Sequence, residues 1–300
     1  MSLRIGSAPI SWGVCEIPGW GPQLPNERVL DEIRAAGFEG TELGPWGFLP
    51  TEVGALRAAL SARGLAMAGA FVPLTLKDPQ AYADCERQVR ETAALLHGLG
   101  AGHILLADAG DEQRARIAGR PEQTRADGLA RQEWVGYAGR LERLAQICRF
   151  DYELVPCFHP HAGSYIENPD EIRTLMERTD PHLLKLCLDT GHVAFGGGDP
   201  LMVTRAFASR IGHVHLKDID LPRLRGLLAE GKTYTDAAQR DVFVELGSGS
   251  LDLPALLRGL TAGGYDGWII VEQDRVVRGE TDTLSSARRN RESLRGWLGV

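Results

Sequence analysis

The chain has 300 residues, 43% hydrophobic and 24% charged, which is long enough for one large α/β barrel or for two smaller globular domains. Its net charge of −7 and isoelectric point near 5.7 argue against a nucleic-acid partner, because phosphate binding depends on lysine and arginine. With five cysteines in no CxxC pair, and no segment typical of a secretory signal or membrane span, we expect a cytoplasmic protein with reduced thiols and no membrane partner.

Eight apolar runs alternate with stretches of helical periodicity and predict strand–helix units. The runs cover residues 3–10, 40–43, 65–72, 104–107, 152–158, 183–188, 211–214 and 268–271. Asn26 is typical of a helix start and Gly37 of a helix end, which places the first helix between them. Alternating units predict a parallel sheet, and eight of them in this length predict a single (β/α)8 TIM barrel. A doubly wound open sheet is the alternative, although no GxGxxG motif follows a strand.

Two stretches interrupt the alternation. Residues 109–130 are polar and lack clean periodicity, so we predict an extended loop that leads into a helix over 132–148. Residues 219–244 form the longest interruption, and we interpret them as an insertion over the site that acts as a lid. The whole chain, residues 1–300, is otherwise interpreted as one barrel domain.

Metal-type side chains lie at the ends of four consecutive predicted strands: His159, Asp189, His215 and Glu272. Barrel enzymes build their sites at the C-terminal ends of the strands, so we expect these four side chains to converge. A single buried histidine is more often a hydrogen-bonded core residue, and we interpret His213 in that way. Two imidazoles with two carboxylates suit manganese, cobalt, iron or zinc better than calcium.

The motifs around these positions resemble those of the xylose-isomerase-like barrel superfamily of sugar isomerases, epimerases and endonuclease-IV-type nucleases. They cover residues 189–192, 215–218 and 267–274. The segments 10–13, 40–45, 47–50 and 159–163 are more narrowly similar to the inosose dehydratases of inositol catabolism. The resemblance extends from the first strand to the last helix, and its motifs specify the superfamily better than the substrate.

This resemblance implies a divalent metal on the four strand-end residues, with His159 in the position where relatives usually carry a glutamate. Manganese or cobalt is the expected ion, with zinc, iron(II) or magnesium as alternatives. Epimerases of the superfamily use two carboxylates on opposite faces of the substrate, and replacing one with histidine favours proton removal on a single face. The implied activity is that of a carbon–oxygen lyase (hydro-lyase), which dehydrates inosose (2-keto-myo-inositol) by taking a proton beside the ketone and expelling the neighbouring hydroxyl.

Four further polar residues are candidates for proton transfer. His161 and His192 follow metal-type positions closely enough to face a substrate, so they are the first candidates for acid and base. Supporting the metal ligands or binding the polyol is an equal interpretation for both. Glu42 and Lys217 are further candidates, and Lys217 could equally be a solvated or ion-paired lysine.

Three residues are candidates for substrate contact. Trp12 and Trp46 follow the first two strands and could stack on the apolar face of a ring, with core packing as an equal interpretation. Glu245 precedes a Leu-Gly-Ser-Gly turn after the insertion and is the weakest of the three candidates.

Other functions stay open on the same barrel. A divalent-metal-dependent sugar isomerase or ketose 3-epimerase is the main alternative, followed by a non-catalytic polyol-binding protein. An endonuclease-IV-like nuclease would need a basic face, which the acidic composition disfavours. We expect a small polyol or sugar ketone as substrate. Barrels of this kind often form homodimers, although nothing in the sequence indicates which face would form the dimer interface.

Overall fold

The computed structural model describes residues 3–279 and 281–299. Its strands are β1 Arg4–Ser7, β2 Gly40–Glu42, β3 Ala66–Gly69, β4 Phe71–Leu74, β5 His103–Asp108, β6 Val155–Phe158, β7 Lys185–Asp189, β8 Ile211–Leu216, β9 Asp218–Ile219, β10 Phe243–Val244 and β11 Trp268–Val271. Nine of them form one parallel sheet in the order β3-β2-β1-β11-β8-β7-β6-β5-β4, and β9 pairs with β10 in a small antiparallel ribbon.

The nine-stranded sheet occupies the eight positions of a TIM barrel. Only Ala70 separates β3 from β4; β3 pairs with β2, and β4 pairs with β5. These two segments therefore act as one staggered strand that nearly closes the ring. The prediction of a single (β/α)8 barrel is confirmed.

Helices surround this barrel on its outer side or pack at its mouth. They are α1 Asn26–Ala35, α2 Val53–Ser61, α3 Tyr82–Leu99, α4 Glu112–Ile117, α5 Pro121–Ala126, α6 Arg131–Gln146, α7 Pro169–Arg178, α8 Thr190–Phe195, α9 Pro200–Phe207, α10 Leu221–Ala229, α11 Tyr234–Ala238, α12 Leu253–Ala262 and α13 Thr283–Leu298. Helix α1 begins at the predicted residue, although the side chain of Asn26 donates to the carbonyl of Phe48 at 3.0 Å and does not cap the helix. Within the described ranges, no helix combines the length and apolarity that a membrane span requires.

The prediction of an extended loop over 109–130 is wrong, because α4 and α5 lie within it. Asp111 caps α4 by accepting a hydrogen bond from the Arg114 backbone N–H, and Pro121 begins α5. Each helix has six residues, fewer than two turns, which is too short to produce a visible apolar period. The predicted helix that follows is present as α6.

The insertion over 219–244 contains the β9–β10 ribbon with α10 and α11. It packs against loops at the mouth of the barrel through a second apolar cluster, separate from the main core. Members of this cluster include Phe195, Leu224, Tyr234, Phe243 and Val276. The segment is therefore packed against the barrel, and its role as a lid over the site stays a prediction.

Candidate active site

A cavity of about 540 Å³ opens at the C-terminal ends of the strands. His159 follows β6, Asp189 ends β7, and Glu272 follows β11. His215, on β8, belongs to the same end of the barrel, and all four side chains are buried. This is the end of a TIM barrel at which loops and strand termini assemble a catalytic site.

The four predicted metal ligands form a chain of close contacts. Asp189 Oδ2 lies 3.3 Å from His159 Nε2 and 3.6 Å from His215 Nδ1. His215 Nδ1 in turn lies 2.9 Å from Glu272 Oε2. One donor atom each from Asp189, His215 and Glu272 falls within 4.8 Å of the others, which is close enough for a shared cation.

The chemistry of these atoms fits a divalent metal. His215 Nδ1 is buried and has no hydrogen-bond partner, although a carboxylate oxygen of Glu272 lies beside it. Burial lowers the pKa of His215, but Cys187, Glu272 and Glu42 outweigh this and raise it well above its ordinary value. Since a metal ligand must be deprotonated, a cation binding here would displace that proton. Two nitrogens and two buried carboxylates form a set that suits manganese, cobalt, iron or zinc.

Lys217 lies inside the site and is not solvated. Its Nζ is 3.1 Å from Asp189 Oδ2, 2.9 Å from Glu272 Oε2 and 3.0 Å from Asp274 Oδ1. Burial lowers the pKa of Lys217, but the three carboxylates raise it by more than burial lowers it. The net pKa of Lys217 therefore lies well above its ordinary value. The structure therefore places a charged ammonium among the carboxylates on this side of the cavity.

His161 and His192 form a pair beside this ammonium, with ring centroids 3.9 Å apart. The Nδ1 of His161 donates to the carbonyl of Ala162 at 2.8 Å, which leaves the lone pair on Nε2. His192 Nε2 lies 3.1 Å from Lys217 Nζ. Burial, together with the charges of His159 and Lys217, lowers the pKa of His161 to about 3. Burial and the neighbouring His161 also lower the pKa of His192, so both rings are neutral at physiological pH.

Glu42 reaches the site from β2, across the interior of the barrel. Its Oε1 accepts hydrogen bonds from His213 Nε2 at 2.8 Å and from His215 Nε2 at 2.9 Å. Burial raises the pKa of Glu42, but the charge of His215 and the two hydrogen bonds lower it more, and the net pKa falls below its usual range. Glu42 is therefore ionised and bound to two histidines.

Of the three candidates for substrate contact, only Trp46 lines the cavity, with 51% of its surface exposed. Trp12 is fully buried in the main core, where its Nε1 donates to Glu32 Oε2 at 2.8 Å. Glu245 forms an ion pair with Arg289 at 2.6 Å, away from the cavity lining. The interpretation of Trp12 and Glu245 as substrate contacts is corrected, because both have partners elsewhere.

The glycines after Glu245 bind a carboxylate of the protein itself. Asp218 Oδ2 accepts backbone hydrogen bonds from Gly247 at 2.9 Å and Gly249 at 3.0 Å. A Cβ at Gly249 would lie 2.2 Å from Asp218 Oδ1. The turn therefore holds the end of the insertion against β9, and its glycines are explained by this contact with Asp218.

Gly249→Ala is expected to reduce the free energy of unfolding by about 1–3 kcal/mol, since the new methyl group must displace the Asp218 carboxylate. Gly226→Ala is the matched control, because Gly226 lies in α10 and a Cβ there meets no atom within 4 Å. Alanine in a helix interior should stabilise by about 0.5–1 kcal/mol. Urea denaturation of both variants measures the difference, and equal stabilities would contradict the structural role of Gly249.

Two residues of the site have no counterpart among the sequence candidates. Tyr234, from α11 of the insertion, donates its hydroxyl to Asp274 Oδ2 at 2.7 Å, and its ring centroid lies 5.1 Å from that of His161. Asp274 could have been found, because it lies two residues after Glu272 in the same motif. Tyr234 follows no strand, and no local pattern in the sequence indicates that it reaches the site.

The loop that carries His161 is held by buried polar groups. Glu167 accepts backbone hydrogen bonds from Gly163 at 2.5 Å and Gly119 at 2.8 Å. Asp108 accepts one from the Tyr165 N–H at 3.1 Å. Burial raises the pKa of Glu167 to about 7, although the two N–H donors oppose the shift.

The pKa of Glu167 predicts a pH-dependent stability. Because its folded-state pKa of about 7 exceeds the ordinary value of 4.5, the folded protein binds more protons between these pH values, and this contribution to stability falls as pH rises through them. Glu167→Gln removes the titration, so its free energy of unfolding should decline less than that of the wild type between about pH 5 and pH 7. Urea denaturation across this range measures both, and parallel curves would contradict the assignment.

Comparisons with known proteins identify relatives that match most of the chain. A protein named inosose dehydratase from Geobacillus kaustophilus (strain HTA426) is 33% identical over 273 residues, which cover 91% of this chain and 88% of that protein. The rhizopine catabolism protein MocC of Rhizobium meliloti is 34% identical over 299 residues, covering 98% of this chain and 88% of its own length.

Solved structures share the fold at lower identity. An L-ribulose 3-epimerase has a TM-score of 0.71 at 20% identity, covering 100% of this chain and 95% of its own. The probable 3-DHS dehydratase AsbF of Bacillus anthracis has a TM-score of 0.71 at 16% identity, with coverage of 98% and 99%. The IOLI protein, solved with a zinc atom, has a TM-score of 0.72 at 13% identity, with coverage of 100% and 98%.

The superfamily expected from the strand-end motifs is confirmed. A family model described as xylose isomerase-like TIM barrel matches residues 30–297, which include every candidate ligand and both candidate acid–base histidines. With this match, and with the nearly closed barrel described above, the chain belongs to the xylose isomerase-like TIM barrel family.

Proposed function

We propose that this protein is a metal-dependent dehydratase that removes water from inosose, a neutral cyclic polyol ketone. The enzyme class expected from the sequence, a hydro-lyase, is confirmed by its relatives. Two proteins named inosose dehydratase are 33% and 31% identical, each over 91% of the chain. The substrate and the dependence on metal are the parts that remain proposals. They rest on the arrangement of charged groups in the cavity.

One observation carries the proposal: a histidine, and not a carboxylate, follows β6 at the first of the four candidate ligand positions. His159 packs against the Phe71 ring with centroids 5.3 Å apart, and its Nε2 lies 3.3 Å from Asp189 Oδ2. The neighbouring His161 lies 5.8 Å from the same ring. An epimerase that moves a proton from one face of the substrate to the other needs a base on each face, so a histidine where relatives usually carry a glutamate favours proton removal on one face and elimination.

The residues that would hold the metal are His159, Asp189, His215 and Glu272. When bound, a divalent cation would act as a Lewis acid toward the ketone oxygen of the substrate. We propose manganese or cobalt as the native ion. The zinc atom bound in the IOLI structure supports a divalent cation on this fold and does not distinguish between these metals.

The residues of the chain itself would move the protons. Neutral His161, with its lone pair on Nε2, is the proposed base that takes the proton beside the ketone. The C–H electron pair forms the new double bond, and the neighbouring C–O bond breaks. The Lys217 ammonium, 3.1 Å from His192 Nε2, would protonate the departing hydroxyl so that it leaves as water. Tyr234 and Asp274 hold Lys217 on this side of the site.

The charge of the cavity supports a neutral substrate. Its lining includes six carboxyl side chains and a single lysine: Glu16, Glu42, Glu91, Asp108, Glu272, Asp274 and Lys217. A phosphate or carboxylate on the substrate would bring a further negative charge into a buried site that has one ammonium, already paired. A polyol ketone without such a group avoids that cost, and Trp46 on the rim can contact its apolar face.

The test is an assay of the purified protein, stripped of metal and then supplied with Mn²⁺ or Co²⁺, on inosose. Loss of water should produce a conjugated dione whose ultraviolet absorbance rises with time, and the metal-free protein should produce none. Interconversion of free ketoses without any absorbance change on inosose would establish the epimerase alternative. A wild-type chain that binds no stoichiometric metal would contradict the metal-dependent mechanism.

A further inference from the structure

Glu42 lies within the candidate site, where it forms hydrogen bonds with two histidines, one of which is the candidate metal ligand His215. Its Oε1 lies 2.8 Å from His213 Nε2 and 2.9 Å from His215 Nε2. All three residues are at most 2% exposed. A carboxylate oxygen only accepts hydrogen bonds, so in both rings the nitrogen that faces Glu42 carries a proton.

This contact determines which nitrogen of His215 is free to bind a cation. With Nε2–H donated to Glu42, Nδ1 is the remaining nitrogen. Nδ1 is the atom that lies 2.9 Å from Glu272 Oε2 and 3.6 Å from Asp189 Oδ2, and it has no hydrogen-bond partner. Histidines that bind metals commonly donate their other N–H to a carboxylate, which orients the ring and raises its basicity.

Two features hold the Glu42 carboxylate in place: the local backbone of β2 and a hydrogen bond from His213. The pairing of β2 with β3 shifts register between Thr41 and Glu42, and such irregularities re-aim a side chain. His213 and His215 are two residues apart on β8 and therefore point to the same side of the strand. His213 thus binds the same oxygen from the layer below, where it lies against His103 with ring centroids 5.2 Å apart.

We propose that Glu42 is a positioning residue that presents Nδ1 of His215 to the metal, with His213 as the anchor of Glu42. This assigns Glu42 a role other than the proton transfer considered from the sequence, and it gives His213 a function beyond core packing. The inference rests on the proposed metal centre. It states which atom of this chain faces the ion and which side chain selects that atom.

The first test observes the unsubstituted protein. Histidine labelled with ¹⁵N in the zinc-loaded chain should show Nε2 of His215 carrying a proton and Nδ1 without one, and His213→Gln assists the assignment by removing one set of signals. Coordination of His215 through Nε2 would overturn the proposal. Because this measurement needs no substitution at Glu42, it decides the question even if the Glu42 variants fold poorly.

The second test measures zinc and manganese affinity by calorimetry on Glu42→Gln. Affinity should fall about 10- to 100-fold, as expected when the carboxylate partner of a ligating histidine is lost. Glu177→Gln, on the exposed face of α7, is the matched control and should bind like the wild type. His213→Gln, whose amide can still donate to Glu42, should lose less affinity than His213→Leu.

The outcomes separate this inference from the proposed function. If Glu42→Gln binds metal as tightly as the wild type but turns over inosose more slowly, Glu42 acts in proton transfer and the positioning role is overturned. Unchanged affinity with unchanged turnover overturns it as well. Failure of the wild type to bind any metal would reject the proposed centre itself, and the positioning role with it.

Discussion

Asp189→Asn is expected to lower kcat/KM for inosose by about 10³-fold, equivalent to about 4 kcal/mol of transition-state stabilisation. Asp189 Oδ2 lies at the centre of the site, 3.3 Å from His159 Nε2 and 3.1 Å from Lys217 Nζ. The substitution removes one charged ligand of the proposed metal and one partner of the ammonium. Metal content measured on the purified variant should fall with activity.

The substitution is conservative for the fold. Asp189 Oδ1 caps α8 by accepting the His192 N–H at 2.8 Å, and the carbonyl oxygen of asparagine can accept the same bond. The thermal unfolding midpoint should therefore change little compared with Glu177→Gln, which removes an exposed carboxylate elsewhere. An Asp189→Asn variant that keeps full metal content and full activity would show that the ion, if one binds, is held by other residues.

The convergence of the four candidate ligands could be predicted from the sequence because it depends on one structural rule. In a parallel barrel every strand ends at the same mouth, so polar residues at the ends of successive apolar runs must converge. The rule applies to His159, Asp189, His215 and Glu272, and each of them lies within 3.6 Å of at least one other member of the set. The alternation of strands and helices similarly predicted the barrel itself.

Interactions across the barrel or through irregular segments could not be predicted in this way. The bond between Glu42 and His213 joins residues 171 positions apart, on strands that are not neighbours in the sheet. Tyr234 reaches Asp274 from an insertion whose path no periodicity describes. Trp12 follows a strand, as a site residue would, but its ring turns into the core. In each case the side-chain direction is decided by long-range packing, which a local sequence pattern does not contain.

Arg114→Met is expected to reduce the free energy of unfolding by about 3–5 kcal/mol, because it leaves a buried carboxylate without its charge partner. Arg114 has no exposed surface, and it lies 2.9 Å from Glu171 Oε1. Its Nε donates to the carbonyl of Ser164 at 2.7 Å, and its Nη1 donates to that of Thr124 at 2.6 Å. Urea denaturation measures the loss.

Arg116→Met is the matched control, since Arg116 lies on the same short helix with a side chain 62% exposed and 4.0 Å from Glu112. It should change the free energy of unfolding by less than about 0.5 kcal/mol. Combining Arg114→Met with Glu171→Leu should recover part of the stability, because removing both charges leaves no unpaired ion in the interior. Equal effects of the two arginine variants would mean that the segment 109–130 is not held through this pair. The loop that carries His161 would then depend on Asp108 and Glu167 for its position.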